Sequence, residues 1–220
     1  MTTLLHIDAS ARVTRSHTRR LSRRFVEGWL ARRPGDEVIP RDVGVSPPPA
    51  VTEAWIAAAF TRQERRTREM NATLAQSDAL VDELERADVI VAGVPMYNFG
   101  VPASMKAYID SIVRVGRTFG FDRARVGEPY WPMLSGKRLV ILSARGDHGY
   151  NEGQRLAAMN HVEPHLRTAF GYIGVTDVTS IAVEYDEFAD GRVERSLREA
   201  EEAVDRLVAR MTEMAEDHAA

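Results

Sequence analysis

The chain has 220 residues, a formal net charge of −3 and no cysteine. The lack of cysteine excludes disulfides, thiol nucleophiles, iron–sulfur ligation and cysteine-based zinc sites, so any redox chemistry must come from a bound cofactor. The nearly balanced charge does not indicate a surface for nucleic acid or for a membrane, and we expect a small-molecule partner.

The length and the N-terminal sequence predict one soluble domain. A chain of this size is most economically a single domain, which we place at residues 1–214, followed by a frayed tail at 215–220. The N-terminus lacks the charged and apolar regions of a signal peptide, and no segment reaches the roughly 18 apolar residues of a membrane span. We therefore expect a cytoplasmic protein.

Strand-like and helix-like segments alternate along the chain. The strand-like segments are 4–8, 37–43, 88–94, 138–143 and 175–183, and the helical patterns are 16–33, 74–87, 102–115, 154–171 and 192–214. Because βαβ crossovers are right-handed, this alternation predicts an α/β fold, a doubly wound parallel five-stranded sheet with helices on both faces. Fold-level analogy favours the strand order 2-1-3-4-5.

The turn after the first strand predicts a phosphate site. It contains no glycine, which excludes both a GxGxxG dinucleotide fingerprint and a Walker A loop. The hydroxyls of Ser10, Ser16 and Thr18 can instead donate to a phosphate, and the free N–H groups of the helix that begins near Ser16 attract an anion. The alternative is that Ser16 only caps the helix.

The same helix raises a nucleic-acid alternative, because eight arginines lie between residues 12 and 33. These arginines flank an apolar stripe at four-residue spacing, as in an ordinary amphipathic helix with a solvated face. We assign that solvated face to Arg19, Arg20, Arg23 and Arg24. No nucleic-acid partner is therefore expected.

The segment after the third strand predicts a site for a flat aromatic cofactor. Strand 88–94 is apolar and β-branched, as expected of a strand buried on both faces, and ligands of open α/β sheets bind beyond the carboxyl ends of the strands. Met96, Tyr97, Asn98 and Phe99 follow it, and this mixture suits a flavin better than a sugar. The alternative is that Tyr97 and Phe99 cap the core.

A third candidate loop follows the fourth strand. Gly146 and Gly149 permit close approach of the backbone to a ring, and their N–H groups could meet the negative charge that a flavin gains near N1 and O2. His148 could donate a proton to a quinone oxygen or polarise it, although an exposed loop histidine is the plainer interpretation.

The remaining features of the chain predict loops and no metal site. Pro164 interrupts the helix that would place His161, Glu163 and His165 together, so we reject a metal site there. Two long stretches, 44–70 with a helix-like part from residue 54, and 116–136, could shape a substrate site, with disorder as the alternative.

With these residues in place, the chain resembles the FMN-dependent NADH-azoreductases, also described as NADH:quinone oxidoreductases, of flavodoxin-like fold. The resemblance covers nearly the whole length. Its most specific parts are residues 95–99, 106–110, 116–119 and 170–177, and their mutual spacing agrees as well.

The resemblance implies a set of FMN-binding residues. The phosphate would be held by Ser10, Ser16, His17 and Thr18, the isoalloxazine ring would be lined by Met96, Tyr97, Asn98 and Phe99, and its other edge would be contacted by Ala144, Arg145, Gly146 and Asp147. Asp147 departs from the glycine that the family typically has. An aspartate beside a flavin that gains negative charge is unfavourable unless it points to solvent.

The resemblance also implies a homodimer with substrate pockets formed by aromatic residues across the interface. Phe60 and Phe119 are the candidates here. His148, which the loop after the fourth strand suggests independently of the resemblance, is a further candidate substrate contact. A symmetric interface is expected to cover Tyr108, Ile112 or Phe119.

The sequence therefore predicts an FMN oxidoreductase that takes a hydride from NADH or NADPH and passes two electrons to a quinone or azo compound, by a ping-pong mechanism. The flavin carries the chemistry, so no catalytic side chain is required. The alternatives are a flavodoxin-type electron carrier, which the near-neutral charge disfavours, and a flavin-free NAD(P)H-binding regulator.

Overall fold

The computed structural model describes residues 1–188 and 190–217, with side chains up to residue 215. Seven strands and six α-helices lie in this part of the chain. In order they are β1 (Thr3–Asp8), α1 (His17–Arg32), β2 (Glu37–Asp42), α2 (Glu53–Phe60), α3 (Arg68–Arg86), β3 (Val89–Pro95), α4 (Ala103–Ile112), β4 (Phe119–Phe121), β5 (Tyr130–Pro132), β6 (Arg138–Ala144), α5 (Glu163–Tyr172), β7 (Asp177–Val183) and α6 (Gly191–Asp217).

Five strands form one parallel sheet in the order β2-β1-β3-β6-β7, which confirms the predicted fold class and strand order. All seven residues of β3 are buried, as its apolar and β-branched sequence predicts for a strand with layers on both sides. The carboxyl ends of β1, β3 and β6 consequently meet at one edge of the sheet.

The helices cover both faces of the sheet. On one face α3, α4 and α5 contribute a core that includes Leu80, Tyr108 and Phe170. On the other face α1 and α6 pack together, and Trp29 lies in one cluster with Val204. An ion pair between Arg24 and Asp205, with an N–O distance of 2.6 Å, joins the same two helices at the surface.

The helix predicted at 154–171 is wrong in its first half, because α5 begins at Glu163. The preceding segment is irregular apart from a single 3-10 turn at Ala157–Met159. The side chain of Asn160 accepts from the N–H of Val162 at 3.1 Å and donates to the carbonyl of Tyr150 at 3.2 Å. These side-chain hydrogen bonds compete with helical ones, and apolar spacing alone does not reveal them.

The two long stretches contain more regular structure than the sequence predicts. In the first, α2 is separate from α3, and α3 begins at Arg68, where Thr67 caps it and accepts from the N–H of Met70 at 3.3 Å. In the second, β4 and β5 form an antiparallel hairpin.

At the end of the chain, α6 reaches Asp217, and residues 218–220 of the predicted frayed tail lie outside the described residues. Within the described part, no helix combines the length and the apolar composition needed to cross a membrane.

Candidate functional site

A cavity of about 300 Å³ lies at the carboxyl ends of β1, β3 and β6. Of the twelve predicted cofactor-binding residues, ten line it, and the other two, Phe99 and Asp147, line an adjacent cavity of about 390 Å³. The ten are Ser10, Ser16, His17, Thr18, Met96, Tyr97, Asn98, Ala144, Arg145 and Gly146. The fold thus brings together three loops that are distant in sequence.

One end of the cavity is formed by the N-terminus of α1. Ser16 is the N-cap residue, and its hydroxyl accepts from the N–H of Arg19 at 3.3 Å and lies 3.1 Å from the Thr18 hydroxyl. The Ser10 hydroxyl accepts from the N–H of Arg12 at 3.2 Å. The positive end of the helix dipole and these hydroxyls suit an anion. Both interpretations of Ser16, capping and anion binding, are therefore compatible.

Arg19 is buried and stabilises this loop, which corrects its assignment to the solvated face. Its guanidinium donates to the carbonyl of Ser10 at 2.7 Å and to both carboxylate oxygens of Asp42, at 2.6 and 2.8 Å. The hydrogen bond from Arg19 holds the pKa of Asp42 below its usual value. Helical periodicity places Arg19 beside the apolar stripe, but it does not show that the loop carbonyls need a donor at that position.

Asp186 is a site residue that the sequence analysis missed. It lies in the turn after β7 and lines the cavity, and its two carboxylate oxygens are each 3.0 Å from a side-chain nitrogen, Nε2 of His17 and Nη1 of Arg12. The signal was available, because β7 is the next strand of the sheet and its carboxyl end lies at the same edge.

The turn after β3 is held in an unusual conformation. Asn98 and Phe99 have φ angles of 48° and 69°, which non-glycine residues rarely adopt. Backbone hydrogen bonds between Tyr97 and Gly100, at 2.9 and 3.1 Å, and from His161 to Phe99, at 2.9 Å, stabilise it. Such strain is concentrated at functional sites. Tyr97 and Phe99 are 36% and 43% exposed, so they do not cap the core.

The loop after β6 rests on a buried ion pair. The guanidinium of Arg145 lies 2.6 Å from Glu163 and 3.3 Å from Glu184, and the Ser143 hydroxyl donates to Glu163 at 2.5 Å. Burial by itself raises the pKa of Glu163, but Arg145 and Ser143 outweigh burial and hold the pKa below its usual value. Glu163 therefore stabilises a loop of the candidate site.

Gly146, the next residue, packs closely against the exposed side chain of Glu187, which a larger residue at this position would displace. A Cβ atom at Gly146 would lie 2.4 Å from the carboxyl carbon of Glu187, which follows β7 and lines the same cavity. The close contact is possible only because glycine has no side chain.

Asp147 is paired. Its carboxylate accepts from the backbone N–H of His148 at 2.8 Å and from Arg155 at 3.1 Å, and these contacts hold its pKa below the usual value. His148 is partly exposed, its ring nitrogen lies 3.0 Å from Asp147, and the ring packs on Tyr185 with centroids 4.6 Å apart. It is not among the residues that line either of the two cavities.

The two predicted aromatic substrate contacts lie outside these two cavities within one subunit. Phe119 is 8% exposed and packs on Tyr172, with ring centroids 5.1 Å apart, whereas Phe60 on α2 is 67% exposed. The expectation that a dimer interface covers Tyr108, Ile112 or Phe119 is wrong, because one subunit already buries all three side chains.

Comparisons with known proteins agree on the fold. A family model described as "Flavodoxin-like fold" matches residues 2–208. The chain is 43% identical to the "FMN-dependent NADH:quinone oxidoreductase 2" of Colwellia psychrerythraea, over 94% of this chain and 98% of that protein. It is 46% identical to the "FMN-dependent NAD(P)H:quinone oxidoreductase 1" of Pseudomonas aeruginosa, over 92% and 96%.

Solved structures show the same architecture at lower identity. The azoreductase AzrA superposes with a TM-score of 0.85 at 22% identity, covering 95% of this chain and 100% of that one. An FMN-dependent NADH-azoreductase from Bacillus anthracis in complex with FMN gives a TM-score of 0.83 at 18% identity, covering 96% and 100%.

Proposed function

This chain belongs to the family of flavodoxin-like fold that includes the FMN-dependent NADH:quinone oxidoreductases, and from that premise we propose that it binds FMN in the described cavity and transfers two electrons from NADH to a quinone or azo compound. One observation carries the location of the site. The N-terminus of α1, with the hydroxyls of Ser16 and Thr18, lines one cavity together with the Ser10 hydroxyl and the turn that carries Tyr97.

The residues present fit FMN. A phosphate monoester suits the Ser10, Ser16 and Thr18 hydroxyls, with Arg12 and Arg15 lining the same end of the cavity. A flat ring suits the turn from Met96 to Phe99. Asp186 is the residue that fits least, because its carboxylate neutralises the Arg12 guanidinium at the phosphate end.

These positions suggest which roles belong to the cofactor and which to the residues of the chain. When bound, FMN would supply the redox chemistry, the net two-electron transfer from NADH to the acceptor. The chain holds the phosphate, and Tyr97, whose hydroxyl accepts from the N–H of Ala11 at 3.2 Å, connects the phosphate loop with the ring turn. Gly146 leaves its backbone accessible to the polar edge of the ring. No side chain is assigned as acid or base.

Colour is the first test of this function. The purified protein should be yellow, heat should release a cofactor with the mass of FMN, and NADH should bleach the colour without an acceptor. A colourless protein that binds NADH would favour the flavin-free regulator. A yellow protein that NADH does not bleach would favour the electron carrier.

We infer further that the nucleotide donor, NADH or NADPH, and the acceptor react with the flavin in turn. Initial-rate lines against NADH at several quinone concentrations should then be parallel, as expected of a ping-pong mechanism. Intersecting lines would mean that both substrates bind together. Comparing kcat/KM for NADH and NADPH measures the preference between the two donors.

We also propose that the active form is a homodimer, in which a second copy covers Phe60. The support is the exposure of Phe60 (67%) and of Ile56 (48%) on the same helix, α2. Large apolar side chains that face water on neighbouring turns favour an interface.

A further inference from the structure

The second cavity, with its volume of about 390 Å³, extends the proposed flavin site. Phe99 and Asp147, which the flavin ring would contact, line part of it, and the rest of its lining offers a place for an electron acceptor beside the ring. This cavity is continuous with the first cavity, because Met96, Asn98, Gly146 and Glu187 line both. Phe99, Leu156 and Met159 give it an apolar wall. Since Phe99 is 43% exposed and held at positive φ, its ring presents an open apolar face that suits an aromatic guest.

The charged side chains of this cavity do not balance. Among the described residues that line it, Asp147 and Glu187 are acidic and Arg155 is basic. Arg155 lies 3.1 Å from Asp147, so that pair is neutral. No ion pair involves Glu187 among the described residues, and its carboxylate lies against Gly146, where the two cavities meet. The lining therefore carries one excess negative charge.

From this imbalance, and given the proposed function, we propose that the second cavity binds neutral or cationic aromatic electron acceptors and discriminates against anionic ones, with Glu187 as the specificity-determining residue. Arg155 limits the discrimination against anionic acceptors, because it neutralises the charge of Asp147. Two unit charges about 7 Å apart at an effective dielectric constant of about 40 interact by roughly 1 kcal/mol, which corresponds to a preference of about fivefold.

Three benzoquinones that differ only in one side group, methyl, trimethylammonium-methyl or carboxylate, test the proposal through kcat/KM at pH 8 and low ionic strength. In Glu187→Gln the ratio of carboxylate to methyl quinone should rise about three- to tenfold over the parent, and the ratio for the ammonium quinone should fall. Arg155→Gln should move both ratios in the opposite direction. Glu213→Gln on α6, which lies outside this lining, should leave them unchanged.

Ionic strength and equilibrium binding give independent readouts. Because the Debye length falls to about 3 Å in 1 M salt, the differences between variants should largely disappear there. In calorimetric titrations the parent protein should bind benzyltrimethylammonium more tightly than benzoate, and Glu187→Gln should reduce that preference. The proposal would be overturned if the kcat/KM ratios stayed at the parent values in both Glu187→Gln and Arg155→Gln. It would also be overturned if the parent protein bound benzoate as tightly as benzyltrimethylammonium. Absent bleaching by NADH and absent turnover of the methyl quinone would instead reject the proposed function, while the titrations would still decide the charge preference.

Discussion

Ser16 combines two roles, the N-cap of α1 and a hydroxyl of the proposed phosphate site. Aspartate is as good an N-cap as serine, so Ser16→Asp changes the charge of the site while it keeps the cap. A carboxylate close to a phosphate dianion should lower FMN affinity by about 100-fold or more. Fluorescence titration of the apoprotein with FMN measures this loss.

Ser16→Asn is the matched control, because asparagine also caps helices but carries no charge. It should retain FMN with at most about a tenfold loss, and both variants should unfold within a few degrees of the parent. Full FMN binding by Ser16→Asp would mean that the phosphate lies elsewhere.

The Tyr108 hydroxyl is fully buried and has no hydrogen-bond partner among the described residues. Burial raises the pKa of this phenol, so it stays protonated and its donor is unused. Tyr108→Phe removes an unsatisfied polar group with little change in shape, and we expect it to raise the free energy of unfolding by about 1 kcal/mol. Urea denaturation at pH 7 checks this. A loss of more than about 1 kcal/mol would show that the hydroxyl has a partner, such as a buried water.

Residue types and strand ends were sufficient to predict much of the candidate site. Ser10 and Met96 follow recognisable strands, and parallel strands bring their carboxyl ends together. Asp186 also follows a strand end, but neither its role nor that of Arg19 could be predicted in the same way. Their roles depend on which cations and carbonyls the folded loops present to them, and those contacts join residues far apart in sequence or buried beneath a turn.

At the level of elements, the Arg145–Glu163 pair joins the loop after β6 to the start of α5. Glu163→Gln removes a negative charge that compensates the buried guanidinium of Arg145. It should therefore lower the free energy of unfolding by about 3 kcal/mol at pH 7. Glu202→Gln, which removes one partner of an exposed pair with Arg206, should cost less than about 0.5 kcal/mol.

The Glu163 contribution should depend on pH. Because the folded-state pKa of Glu163 is lowered from 4.5, its stabilisation is complete above about pH 4.5 and is lost as the pH falls through the folded-state pKa. Urea denaturation from pH 7 to pH 3 should therefore show the parent and Glu163→Gln approaching each other below about pH 4.5. A constant difference over that range would mean that Glu163 is not the titrating group.

Elements with a strongly periodic pattern of apolar residues were predicted correctly. Segments whose structure depends on local side-chain hydrogen bonds were not. The apolar run of β3 is typical of a central strand, and the apolar stripe of α1 is typical of an amphipathic helix. The segment before α5 also has helical spacing, but Asn160 bonds to the backbone on both sides and Pro164 favours a helix start near Glu163.

At the level of the whole molecule, the proposed dimer can be tested at Phe60. Phe60→Arg places a charge on an exposed position, so the subunit should fold normally while dimerisation weakens. Light scattering should show a shift towards monomer and acceptor turnover should fall with it. Val126→Arg, at another exposed apolar residue, is the control and should change neither. A fully active monomeric parent protein at assay concentration would reject the dimer.

The packing of α1 against α6 has a consequence for biosynthesis. Trp29 leaves the ribosome early, whereas Val204 and its neighbours follow roughly 170 residues later. At about 5–20 residues per second, the apolar face of α1 stays uncovered for roughly ten seconds or more while the nascent chain grows. Ser16 caps the same helix, so the phosphate loop acquires its final support only after α6 has been made. Until α6 is made, the nascent chain therefore presents an apolar helix face that chaperones can bind.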